Sequence, residues 1–77
     1  MGEFYTSAKR TKILSLLRGF GFTFKQSGKH IKAFCPKTGA WTLIPRSNEL
    51  KNGTVESICD FLVDRGYDKA RIKKALR

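Results

Sequence analysis

Three short runs of alternating residues, separated by glycine turns, constrain this chain more than any other feature. Phe22 and Phe24 alternate with Thr23 and Lys25. After "SGK", Ile31, Ala33 and Cys35 alternate with His30, Lys32 and Phe34, and after "PKTG" comes "AWTLIP". A period of two sends successive side chains to opposite faces of a strand. Turns this short join neighbouring strands as an antiparallel meander. The pattern predicts strands at about 21–27, 30–35 and 40–45. If Ile31, Ala33 and Cys35 face a core, then His30, Lys32 and Phe34 project from the other face, joined by Thr23 and Lys25. The one histidine of the chain then stands in a basic, partly aromatic surface. Trp41, in a mid-sheet strand, is expected in the core, the alternative being a platform for an unpaired base.

A lone three-stranded sheet must cover its apolar face, and the flanking segments supply helices to do so. After Ser7, "AKRTKILSLLRG" carries Ile13, Leu14, Leu16 and Leu17 on one helical face, with Gly19 as the stop. This predicts a helix at about 7–18. The link "RSNELKNG" reads as a polar loop. Thr54 is the expected N-cap of a second helix, with Glu56 in its first turn, where the helix dipole favours an acid. Val55, Ile58, Cys59, Phe61 and Leu62 form the apolar stripe, and Gly66 ends it. Asp68 caps a last helix, "KARIKKALR", with Tyr67 and Ile72 at the spacing of a hydrophobic staple. The result is an α+β two-layer sandwich, α-β-β-β-α with a short extra C-terminal helix and a three-stranded antiparallel sheet. Residues 1–6 read as a disordered tail and 7–77 as a single domain.

Charge narrows the partners. Sixteen Lys and Arg against six Asp and Glu give a formal net charge of +10 on 77 residues. Such a field favours a polyanion, because neutralising phosphates releases condensed counterions. No apolar run approaches the roughly 20 residues that span a bilayer. "MGEFYTSAKR" lacks the apolar centre of a secretory signal, so the expectation is a cytoplasmic protein, with no membrane partner. Two cysteines and one histidine do not make a four-ligand zinc site, and Cys35 and Cys59 are expected to be buried and reduced. Glu49, Glu56, Asp60, Asp64 and Asp68 lie mostly at helical spacing, as solvated helix faces. No metal and no cofactor is expected.

Several motifs together are familiar. The chain reads "GFGF", then "QSGKHI", then "CP" at Cys35-Pro36, then "TGAWTLIP", then "LKNGTVESI" across Leu50–Ile58, and "RGY" before the last helix. From Lys12 to Leu76 it resembles the HicA-type mRNA interferase toxins of bacterial toxin–antitoxin pairs. That resemblance implies a fold like the double-stranded RNA-binding domain, metal-independent RNA cleavage and neutralisation by an antitoxin that covers the histidine. The family's catalytic histidine, two positions after the glycine, maps to His30. Nearby positions depart from the family pattern. Its serine is Lys29 here, its second histidine is Ile31, its histidine before proline is Cys35, and Arg46 and Ser47 stand where a histidine often follows the strand ending in proline.

Cleavage of RNA without a metal proceeds by attack of the 2′-hydroxyl on its own phosphate. It needs a base at that hydroxyl, cationic stabilisation of the phosphorane and help for the leaving oxygen. Histidine is the side-chain type that ordinarily titrates near neutrality, so His30 is the candidate general base. Lys25, Lys29, Lys32, Arg46 and Lys51 are the candidate RNA contacts. Lys51 before Gly53-Thr54 suits a phosphate at a helix start, although a plain turn and cap is the commoner reading of such residues. The alternative function is a module on the same fold that grips double-stranded RNA, or another nucleic acid, without cutting it. The expected partners are RNA and an antitoxin protein, with a monomer when free.

Overall fold

The computed structural model describes residues 7–76. The tail expected at residues 1–6 lies outside the described residues. The elements run β1 (Ala8–Lys9), α1 (Arg10–Gly19), β2 (Thr23–Ser27), β3 (His30–Phe34), β4 (Trp41–Pro45), β5 (Glu49–Leu50), α2 (Asn52–Asp64) and α3 (Lys69–Ala75). β2, β3 and β4 form the antiparallel meander, and β1 pairs with β5 in a separate two-stranded sheet. This is the α+β arrangement read from the sequence, with one small sheet added.

One apolar core joins the layers. Ile13 and Leu17 of α1, Ile31 and Ala33 of β3, Ile44 of β4, Val55 and Leu62 of α2 and Ile72 of α3 are all buried in the same cluster. Burying an aliphatic side chain of this size is worth about 1.5–3 kcal/mol. These contacts therefore hold α1, α2 and α3 against one face of the sheet. Alternation along β3 is complete: Ile31 and Ala33 are buried, and His30, Lys32 and Phe34 are exposed.

Element ends depart from the sequence reading at several points. α1 begins at Arg10 and not at 7, because Ala8 and Lys9 pair with Leu50 and Glu49. Leu50 is buried beside Ala8, so the link between β4 and α2 is not wholly loop. The Arg10 backbone N–H donates to the Asn48 carbonyl at 2.9 Å, occupying one donor that a helix start leaves unpaired. At the other end Gly19 is still helical. The left-handed turn falls on Gly21, with φ 94°. The Gly21 N–H bonds the Arg18 carbonyl and the Phe22 N–H bonds the Leu17 carbonyl, both at 3.0 Å. This double closure is the Schellman motif. It explains why β2 starts only at Thr23.

α2 ends the same way, with Gly66 at φ 89° and Tyr67 N–H on the Leu62 carbonyl at 3.0 Å. Its start is Asn52, and its N-cap is Lys51, without a side-chain cap bond. Thr54 therefore lies inside the helix, and Glu56 lies beyond the first turn. At α3 the cap is as read: the Asp68 side chain accepts from the Ala70 N–H at 3.0 Å. The two Schellman corners pack on each other, with the Tyr67 ring 5.0 Å from Phe20 and 5.4 Å from Phe22.

Candidate functional site

Register builds the candidate site as three rungs across the uncovered face of the meander. The first sets Thr23 opposite Phe34 and Phe34 opposite Trp41. The second sets Lys25 opposite Lys32 and Lys32 opposite Leu43. The third sets His30 opposite Pro45. Successive rungs are two residues apart, roughly 7 Å along a strand. Thus the histidine rung adjoins the lysine rung, and the lysine rung adjoins the aromatic one.

Each rung has a distinct chemical character. Lys25 and Lys32 are like charges directly opposite one another, an arrangement that destabilises a sheet. β2, β3 and β4 contain no Asp or Glu to offset it. The Lys32 ammonium lies 5.0 Å over the Trp41 ring, a cation–π contact that steers it to one side. A hollow lined by Thr23, Phe24, Lys25, Lys32 and Phe34 opens between the first two rungs. His30 is exposed at the start of β3, immediately after the turn of Gly28 and Lys29.

Arg46 reaches the same corner. It follows Pro45, the register partner of His30, and its guanidinium donates to the Gly28 carbonyl at 3.3 Å. Its own carbonyl accepts from the Arg10 side chain, which ties this corner to the start of α1. Register and sequence thus place Lys29 directly before the histidine, Lys25 and Lys32 one rung away and Arg46 at the same corner. Lys51 has no part in that network. It stands on another element, as the residue before α2.

Trp41 corrects the sequence reading: it is 52% exposed and not in the core. Phe34 at 39% and Leu43 at 45% accompany it on the same face. "AWTLIP" is almost unbroken apolar sequence, so its period of two was hard to phase. The pairing around the turn would have settled it. The Cys35 N–H bonds the Ala40 carbonyl at 2.8 Å, so Cys35 and Ala40 turn inward together and Phe34 and Trp41 turn outward.

Of the departures from the family pattern, Ile31 and Cys35 both face the core, at 8% and 2% exposure. Sequence reasoning missed the company Cys35 keeps. Tyr67 and Thr38 hydrogen-bond its sulfur and, outweighing burial, lower the thiol to about 7. Their own hydroxyls are 3.2 Å apart. Both cysteines are free and buried, as expected. Among the described residues, no three of His, Cys, Asp and Glu gather as a metal-holding group, and no helix is long and apolar enough to cross a membrane.

The fold and this face define a small basic α+β domain with a cationic, aromatic sheet surface. Comparison with protein families matches residues 10–73 to the HicA toxin of bacterial toxin–antitoxin systems. The chain belongs to that family, whose members are generally RNA-cleaving toxins paired with an antitoxin. Neither a curated protein nor a solved structure gave a significant match.

Proposed function

We propose that this protein cleaves mRNA without a metal and that His30 is the general base. The observation that carries the reading is the position of the one histidine: exposed on the uncovered sheet face, one rung from the Lys25–Lys32 pair and beside the Arg46 corner. In this mechanism His30 takes the proton of a 2′-hydroxyl, whose oxygen attacks the adjacent phosphorus. The P–O5′ bond breaks, leaving a 2′,3′-cyclic phosphate on one product and a 5′-hydroxyl on the other. Lys29, Lys32 and Arg46 stabilise the charge that builds on the phosphorane, and a lysine ammonium or water protonates the leaving oxygen. Lys25 continues the phosphate track, and Lys51 contacts the RNA further along the chain.

Two of the family departures weigh less against this reading than the sequence alone suggests. Ile31 and Cys35 point into the core, on the side of the sheet away from His30. A histidine lost at either position is therefore not lost from the surface where His30 stands. Two departures do fall near the base, Lys29 beside it and Arg46 at the same corner, and each brings a cation. An antitoxin that covers this face would neutralise the toxin by shielding both the histidine and the lysines. The free toxin is then a cytoplasmic monomer.

The test is incubation of the protein and its His30→Ala variant with labelled RNA in EDTA. The expected outcome is cleavage by the parent and a rate about 10² to 10⁴-fold lower in the variant, the usual weight of general acid–base catalysis. The second reading, a non-cutting double-stranded RNA binder, is favoured by Lys29 standing where the family has serine. Intact RNA that is nonetheless retarded in a gel by both proteins would support it and sink the nuclease.

A further inference from the structure

The aromatic rung has no role in the proton chemistry, and its exposure is costly. All the large hydrophobics that are exposed among the described residues, Phe34, Trp41 and Leu43, lie on the face that carries His30. Exposed apolar residues scattered singly need no explanation, whereas a contiguous group marks a binding surface. Here the group is edged by Lys25 and Lys32, and the three strands carry no acid.

We propose that Trp41 and Phe34 form a stacking subsite for one unpaired base of the RNA, two rungs from the position facing His30. This rests on the reading of the face as an RNA site, and it specifies the substrate there as single-stranded. A flat ring at the sheet surface offers a π-face that any base can cover, and such stacking is how sheet surfaces commonly hold unpaired nucleotides. Bases in a duplex are already stacked on each other and present only their edges. The order of the rungs suits an extended strand. With the strand running 3′ to 5′ from Trp41 to His30, a base rests on Trp41 and Phe34, and the phosphate on its 5′ side meets Lys25 and Lys32. The ribose whose 2′-hydroxyl attacks that phosphate lies at His30. The Lys32 ammonium lies over one face of the Trp41 ring, so the base takes the ring's other face, or displaces that ammonium towards the neighbouring phosphate. A protein partner could also cover an apolar patch. The cation-flanked aromatic pair set one rung from a phosphate-binding pair favours the nucleic acid.

The test uses a property of the sequence: Trp41 is the one tryptophan of the chain, so its fluorescence reports this subsite alone. The His30→Ala variant serves as the background, so that no RNA is cut during titration. A short unstructured oligouridine should quench Trp41 saturably, and a blunt RNA duplex of equal length should not. Adding Trp41→Ala to this background should weaken oligouridine binding by about 5- to 150-fold, the range of one lost base stack. Duplex binding should not change, and Trp41→Phe should keep most of the affinity. Circular dichroism and urea unfolding check that the exposed substitution leaves the fold intact. Oligouridine binding that is unchanged in Trp41→Ala would overturn the subsite and leave the patch to a protein partner. Equal quenching by the duplex would overturn it too. Because cleavage is never read, a parent that fails to cut RNA would remove the nuclease and leave this inference standing.

Discussion

Tyr67 and Thr38 draw the Cys35 thiol down to about 7 from an ordinary 9.0, although the residue is only 2% exposed. Hydroxyl donation to the sulfur outweighs burial there. Cys59 shows the opposite balance: burial first, then the charge of Asp60, pushes its thiol up to about 12. The two cysteines therefore bend stability with pH in opposite senses. The folded chain favours the Cys35 thiolate, so that contribution is present above pH 9, and is lost as pH falls through about 7. For Cys59 the unfolded chain ionises near 9 while the folded chain does not, so stability falls as pH rises beyond that value. The urea midpoint of the parent should rise between pH 7 and 9, relative to Cys35→Ser. Thiolate absorbance should place the Cys35 titration near 7 in the parent and higher in Tyr67→Phe. A Tyr67→Phe titration that stays put would mean the phenol has no part in it. None of this was legible in the sequence, because Tyr67 reaches Cys35 only through tertiary packing. The exposure of His30 was legible, because a period of two fixes it as soon as Ile31 and Ala33 are assigned to the core.

Elements with several repeats of their period were readable, and the shortest were not. The three meander strands and the three helices emerge where the pattern runs for five residues or more. β1 and β5 have two residues each, too few to carry any period, and their pairing displaced the expected start of α1. The two glycines around Phe20 posed a different problem, since either is a sound helix stop on composition. Geometry separates them. Gly21 has φ 94°, whereas Gly19 is helical. Gly21→Ala should destabilise the fold by about 1–2 kcal/mol, the cost of a left-handed conformation for an L-residue. No atom lies within 4 Å of the added methyl, so that cost is purely backbone. Gly19→Ala should be neutral or stabilise by up to about 1 kcal/mol. Its new methyl meets only the movable end of Arg71, at 3.4 Å. Urea unfolding of the two variants measures the contrast, and equal losses would contradict the Schellman assignment.

Across the whole molecule, composition gave the net charge of +10 but not its placement, which depends on strand register. Register sets Lys25 and Lys32 against each other on a face whose strands hold no acid. A free protein that keeps such a pair is less stable than it need be, and a phosphate bound between the two ammonium groups, as proposed for the RNA, would remove the repulsion. Stability and binding should therefore respond in opposite directions to one substitution. Lys25→Gln should raise the stability of the free protein by about 0.2–1 kcal/mol, the usual weight of a cross-strand pair. It should also weaken single-stranded RNA binding, and most strongly at low salt. For a single strand each neutralised phosphate contributes about 0.7 to the slope of log affinity against log salt. The variant's slope should therefore be shallower than the parent's by about that amount. Lys32→Gln should give the same loss of slope, together with a change in Trp41 fluorescence, because its ammonium lies over that ring. The decisive measurement is the double variant in urea. Once either lysine is gone the repulsion is gone, so the second substitution should add no further stability. Additive gains from the two substitutions would mean that each lysine is destabilised by the general field of the protein, and not by its partner across the rung.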